Sequence, residues 1–188
     1  AREPVSRILG RREFWGLRFR VNRHVLDPRP DSETVIEAVL AGLNDHAANL
    51  RILDLGTGTG CLLLALLSEL SAALGTGVDV SAGAVAVARE NAVALGLGGR
   101  ARFVVGDWGA ALDAAFQVIV ANPPYVAGGE MAALAPEIRR FEPVVALDGG
   151  PDGLVCYHDL APAISRLLAP DGFAVIEIGH GQATDIKE

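Results

Sequence analysis

From residue 51 onward, short apolar segments and helix-like segments take turns, and this alternation restricts the fold more than any other feature of the chain. Residues 51–55, 77–80, 101–105, 116–121 and 173–178 read as strands, with helices expected near 60–70, 82–95 and 153–168. Strands that are apolar throughout, rather than on alternate residues, belong in a sheet covered on both faces. Repetition of strand and helix makes such a sheet parallel. The sequence therefore predicts an α/β fold built on a doubly wound, mostly parallel sheet.

Ahead of that sheet, Leu17, Phe19 and Val21 alternate with Arg18, Arg20 and Asn22, the period of a strand with one buried face. Asn22-Arg23 can turn the chain and Val25-Leu26 can return it, which predicts a small hairpin. Pro28 and Pro30 end the pattern. Asp31 or Ser32 can then cap a helix, with Glu33 in its first turn and Val35, Ile36, Val39, Leu40 and Leu43 as its apolar stripe. Residues 1–45 are thus expected to form a linker, hairpin and helix, and residues 46–188 the α/β domain.

Bulk properties exclude several classes. The longest apolar run, Cys61 to Leu67, is far short of the roughly 20 residues that cross a bilayer, so no membrane partner is expected. The arginine-rich start lacks the apolar stretch of a secretory signal. Cys61 and Cys156 are far apart and form no CxxC pair, which suits free thiols in a reducing, cytoplasmic setting. Residues 1–30 hold eight arginines against Glu3, Glu13 and Asp27, a net +5, whereas the remainder carries −12. An acidic body is a poor match for phosphates, which argues against nucleic acid. No HxxxH or HxH pair is present, so no metal is expected. Cys156 and His158 lie too close in sequence to be a conventional nucleophile and base.

The first chemical signal is Asp54-Leu55-Gly56-Thr57-Gly58-Thr59-Gly60, which follows a strand and opens a helix. Glycines at alternate positions let a ligand lie against the main chain, and the helix start offers free N–H groups. A dinucleotide fingerprint would need glycine or alanine at position 61, where Cys61 stands. The spacing DxGxGxG instead resembles motif I of class I methyltransferases dependent on S-adenosylmethionine. Asp79, ending the next strand, can accept hydrogen bonds from ribose hydroxyls, as it could in an NAD enzyme. Gly106-Asp107-Trp108 follows the third strand. Asp107 could bond an adenine amino group and Trp108 could cover the ring, or the pair could be an ordinary turn beside a core tryptophan.

Asn122-Pro123-Pro124-Tyr125 ends the fourth strand. In the usual doubly wound order the first and fourth strands are neighbours across the switch point, where ligands bind, so Asn122 should face Gly56–Gly60. The residue types suit transfer of a methyl group to an NH₂ whose lone pair is delocalised. The Asn122 side-chain oxygen and the Pro123 carbonyl can each accept one N–H, which aims the nitrogen. Proline stiffens the loop. Tyr125 can pack on the planar amide and keep water out.

With DLGTGTG and NPPY in place, the chain resembles the HemK-like glutamine N5-methyltransferases of peptide chain release factors. The likeness extends to Arg12–Leu17, which looks like the family's entry hairpin, to Pro28–Glu33 with Ser32 where threonine is usual, and to Gly106–Trp108. Phe141-Glu142-Pro143, Gly149–Leu154 and Glu177–Gln182 match as well. The resemblance implies a Rossmann-like class I fold, S-adenosylmethionine as cofactor and a class I release factor as partner. Its target would be the glutamine of the Gly-Gly-Gln tripeptide. It assigns Gly56, Thr57, Gly58, Thr59, Gly60, Asp79, Asp107, Trp108 and Asn122 to the cofactor, and Asn122, Pro123, Pro124 and Tyr125 to the glutamine. Family members also carry an N-terminal helical domain and C-terminal strands, which these residues are expected to lack. Related activities on a ribosomal-protein glutamine or on adenine N6 use the same tetrapeptide. The roles of Arg29 and Glu33, cofactor contact or brace, are open at this stage.

Overall fold

A computed structural model describes residues 2–186. Five parallel strands form the central sheet: β3 (Arg51–Leu55), β4 (Leu74–Asp79), β5 (Ala101–Val105), β6 (Phe116–Ala121) and β7 (Leu168–Ile176). Their order is β5-β4-β3-β6-β7, so β3 and β6 are neighbours and the chain reverses direction across the sheet between them. This is the arrangement that the strand–helix rhythm implies.

Strand residues alternate between faces, and two apolar layers result. Ile52, Val118 and Val120 face α2 (Glu33–Gly42), α3 (Cys61–Glu69) and α4 (Ala82–Ala94) through side chains such as Ile36, Leu63 and Ala88. Leu53, Leu55 and Ile119 face α6 (Val155–Leu167) through Leu160 and Leu167. Burial on both sides is why these strands are apolar without alternation. No helix among the described residues is long and apolar enough to cross a membrane.

The hairpin lies one step upstream of the place that the alternation gives it, at the Arg12–Leu17 segment that the resemblance marks. Following α1 (Val5–Leu9), it pairs β1 (Arg11–Phe14) with β2 (Leu17–Arg20) and turns at Trp15-Gly16. Both turn residues have positive φ, 52° and 68°, which matches the right-handed twist of a two-residue hairpin. Phe14 and Phe19 pack edge to face beneath it, with ring centroids 6.2 Å apart. Val25 does not return as a strand because it is drawn into an apolar cluster with Val21, Ala84 and Val87 on α4.

Two further expectations change. Neither Asp31 nor Ser32 caps α2 through its side chain. Residues 30–32 wind into a short 3-10 turn, Ser32 is already helical, and its hydroxyl points elsewhere. The last strand begins at Leu168, five residues earlier than its apolar pattern suggests, with an irregularity opposite Phe116–Val118. A short helix, α5 (Pro136–Phe141), lies in the stretch between β6 and α6.

Candidate functional site

The glycine loop runs directly from β3 into α3. Gly56, Gly58 and Gly60 have φ of 75°, 53° and 80°, a conformation that side chains with a Cβ rarely adopt. The N–H groups of Gly56 and Thr57 both donate to the Val78 carbonyl at 2.9 Å, which pins the loop to β4. Beneath it, Thr57 Oγ1 donates to Asp54 Oδ2 at 2.6 Å. A Cβ on Gly56 would stand 3.6 Å from the Trp108 ring and 4.0 Å from the Asn122 carbonyl oxygen, so glycine keeps the floor thin.

Asp79 closes one side. Its Oδ2 accepts the Gly58 N–H at 2.8 Å and its Oδ1 the Ser81 N–H at 2.9 Å. Each oxygen retains a lone pair for a ligand. Burial raises its pKa against the pull of those two donors. Trp108 has φ 38° and is followed by Gly109 at 76°. That sharp turn leaves the indole packed against the apolar cluster of Leu55 and Val78, as the core reading of Trp108 has it, and lining the cavity as well.

The cavity at the carboxyl ends of the strands has a volume of about 500 Å³, within the range of small-molecule sites. Gly56, Thr57, Thr59, Asp79, Asp107, Trp108, Asn122 and Pro124 line it. Gly58, Gly60, Pro123 and Tyr125 are not part of this lining. Val144 and Val145, both exposed, form an apolar rim. Among the described residues no group of His, Cys, Asp and Glu is placed to hold a metal ion.

Residues outside the glycine loop and the tetrapeptide hold the site together. Asn122 Nδ2 donates to Ser32 Oγ at 3.0 Å. The Glu177 carboxylate, just past β7, faces Ser32, Asn122 and Tyr125. Burial raises its pKa, and hydrogen bonding from those three side chains opposes the rise. Burial first, and the Glu177 charge second, push the Tyr125 phenol up. Gln182 Nε2 donates to the Tyr125 carbonyl at 3.2 Å and ties down the loop after β6. Gly153 packs so closely that a Cβ there would lie 2.4 Å from the same carbonyl oxygen. Asn91, fully buried in α4, takes the Arg20 N–H at 2.7 Å and donates to the Thr59 carbonyl at 2.9 Å, which couples the hairpin to the glycine loop. An asparagine inside an apolar helix was the available signal.

Arg29 and Glu33 both act as braces. Glu33 Oε1 accepts the Trp15 N–H at 2.8 Å. Arg29, although it also lines the cavity, pairs with Glu142 at 2.9 Å. Glu142 is buried, bonds Arg7 through its second oxygen and accepts the Asp27 N–H at 3.1 Å.

The strand order, the glycine loop over β3 and the acidic end of β4 define a class I methyltransferase fold. The chain belongs to the methyltransferase small domain family, whose family model matches residues 33–140. It is similar to the release factor glutamine methyltransferase of Rhodospirillum rubrum, with 55% identity over 185 residues that cover 98% of this chain and 56% of the relative. The chain thus spans about half the length of that relative. Among solved structures it is similar to a ribosomal protein L11 methylase from Lactobacillus delbrueckii subsp. bulgaricus. The TM-score is 0.62 at 19% identity, covering 87% of this chain and 68% of that one. It is also similar to a SAM-dependent methyltransferase from Geobacter sulfurreducens in complex with S-adenosyl-L-homocysteine. Here the TM-score is 0.50 at 24% identity, covering 82% and 49%.

Proposed function

We propose that the complete protein transfers a methyl group from S-adenosylmethionine to the side-chain nitrogen, N5, of the glutamine in the Gly-Gly-Gln motif of a class I peptide chain release factor. The observation that carries this reading is the placement of Asn122. It directly follows β6 beside the glycine loop at the switch point, its Nδ2 is committed to Ser32, and its Oδ1 is left to accept an incoming N–H. The release-factor name of a relative that matches nearly the whole chain supplies the substrate half of the proposal.

The cavity fits the cofactor. It pairs a thin glycine floor with the carboxylate of Asp79, poised for ribose hydroxyls, and the indole face of Trp108 for an adenine ring. On this reading Gly56, Thr57, Gly58, Thr59, Gly60, Asp79, Asp107 and Trp108 hold S-adenosylmethionine, and Asn122, Pro123, Pro124 and Tyr125 hold the glutamine. The cofactor, when bound, supplies an electrophilic methyl on a sulfonium.

The remaining difficulty is the nucleophile, because an amide nitrogen shares its lone pair with its carbonyl. Asn122 Oδ1 and the Pro123 carbonyl each accept one of its N–H bonds, which fixes the nitrogen in line and favours pyramidal geometry. Tyr125 covers the amide plane and excludes water. Orientation of this kind can supply several kcal/mol, up to about 7–11 in ideal cases. Glycines beside the target let its backbone enter between walls that would reject side chains. The −12 of residues 31–188 suits a basic protein partner, and the two free cysteines suit the cytosol.

The test is transfer of radiolabelled methyl by the full-length protein to a release factor, to the factor with its Gly-Gly-Gln glutamine replaced, and to DNA. Label in the intact factor alone is expected. Label in DNA would move the chain to adenine chemistry. Asn122→Ala should leave cofactor affinity nearly unchanged while turnover falls by about a hundredfold or more. Equal loss of both would make Asn122 a cofactor residue.

A further inference from the structure

We propose that Ser32 and Glu177 are positioning residues that hold the Asn122 side-chain amide in the one orientation able to receive the substrate. This rests on the methyl-transfer reading above. The two ends of an asparagine amide are nearly equal in size and opposite in hydrogen-bonding sense. With Oδ1 toward the substrate, Asn122 accepts an N–H. Turned over, it would present NH₂ to NH₂, and binding would fail. Something other than shape must therefore choose the orientation.

Ser32 alone cannot choose. Its hydroxyl lies 3.0 Å from Asn122 Nδ2, but a hydroxyl both donates and accepts and would satisfy either end of the amide. The carboxylate of Glu177 breaks the symmetry when ionised, because it then only accepts. It lies near Ser32, Asn122 and Tyr125, three side chains that can each donate and so favour its charged form. Its Oε2 is buried and holds no close hydrogen bond, so it has acceptor capacity left for a neighbouring hydroxyl. With the Ser32 hydrogen turned to Glu177, the Ser32 lone pairs face Asn122, which must then offer Nδ2. The direction of donation runs from Asn122 through Ser32 to Glu177, and Oδ1 is left facing the cleft.

Two independent features of the fold agree. Ser32 stands where a helix cap would be, is 3% exposed, and makes no capping bond, so its hydroxyl is free for this task. Glu177 is fixed by the sheet itself, since its N–H donates to the carbonyl of Ala121, the residue before Asn122. The donor–acceptor chain therefore crosses from the segment before α2 to the ends of two neighbouring strands.

The test uses the full-length protein with Glu177→Gln, Ser32→Ala and Ser32→Thr. Three quantities are measured: kcat and KM for release-factor methylation, the Kd for S-adenosylmethionine, and the NMR resonances of the Asn122 side-chain NH₂. Glu177→Gln keeps the shape but can donate, so kcat should fall at least about tenfold, short of the ~10²–10³ lost with a directly bound group. The cofactor Kd should stay within about twofold, and the Asn122 NH₂ resonances should move. Ser32→Ala should behave alike, and Ser32→Thr should recover most of the loss. Unchanged kcat and resonances in Glu177→Gln, with a fully active wild type, would overturn the positioning role alone. A wild type that labels no release factor would instead sink the proposed function. Equal loss of cofactor affinity and turnover, or failure of Ser32→Thr to rescue, would make the pair merely structural.

Discussion

Asp54→Asn isolates the cost of the carboxylate under the glycine loop. Asp54 is buried, with Oδ2 bonded to Thr57 at 2.6 Å and Oδ1 buried without a partner. Desolvation, opposed by the Thr57 hydroxyl and reinforced by the Asp79 charge, pushes its pKa from 3.8 to about 7. The folded value lies above the unfolded one, so ionisation penalises the folded state more than the unfolded chain. That penalty is absent below about pH 4, grows until about pH 7 and is constant above it. A rise of about three units, at about 1.4 kcal/mol each, sets a plateau on the order of 4 kcal/mol. Asparagine keeps the size and an acceptor for Thr57. Its unpaired amide hydrogens add a pH-independent cost of about 1–3 kcal/mol. The slope is therefore diagnostic, whatever the offset. Urea unfolding of both proteins should show the variant gaining on the wild type by about 1.4 kcal/mol per pH unit between about pH 5 and 7, then levelling off. A difference that stays flat across that interval would refute the argument.

Gly56→Ala forces a Cβ into a residue with φ of 75°, at a strain of about 1–2 kcal/mol, and adds bulk beneath Trp108. Cofactor affinity measured by calorimetry should fall about tenfold. Gly153→Ala would drive a Cβ to 2.4 Å from the Tyr125 carbonyl, so turnover should drop while cofactor Kd is retained, as steady-state kinetics beside calorimetry would reveal. Glu142→Gln strips the counter-charge from Arg7 and Arg29, one of them almost fully buried. Denaturant titration should show about 3–5 kcal/mol less stability.

Strands at 51–55, 101–105 and 116–121 fall on the residues that the apolar runs indicate, because burial on both faces writes itself into consecutive positions. The second strand starts earlier, at Leu74, since Gly75 and Gly77 dilute the pattern while making room for Leu63 and Phe103. Alternation alone pairs the hairpin strand with the wrong partner, because Asn22-Arg23 looks like a turn and Trp15-Gly16 does not; the likeness at Arg12–Leu17 marks the right place. α5 is six residues long, too short for a period to show. Glycine loop and tetrapeptide were legible as local spacings. Ser32, Glu142 and Glu177 stand in matching segments and Asn91 does not, but the roles of all four were illegible, because each acts through a partner far away in sequence and local pattern carries no record of such pairings.

Glu142 has a consequence for the order of folding. Its carboxylate gathers Arg7, the Asp27 N–H and Arg29, partners 135, 115 and 113 residues away. Contacts of such span require closure of most of the chain, so their entropy is lost before any attraction is gained. The segment that carries Arg7 and Arg29 should therefore dock late, onto a sheet already assembled. In kinetic terms, removing the Glu142 charge should leave the refolding rate nearly unchanged and accelerate unfolding, the signature of an interaction formed after the barrier is crossed. The lock that braces Arg29 at the cavity is, on that account, the last part of the domain to close and the first to open.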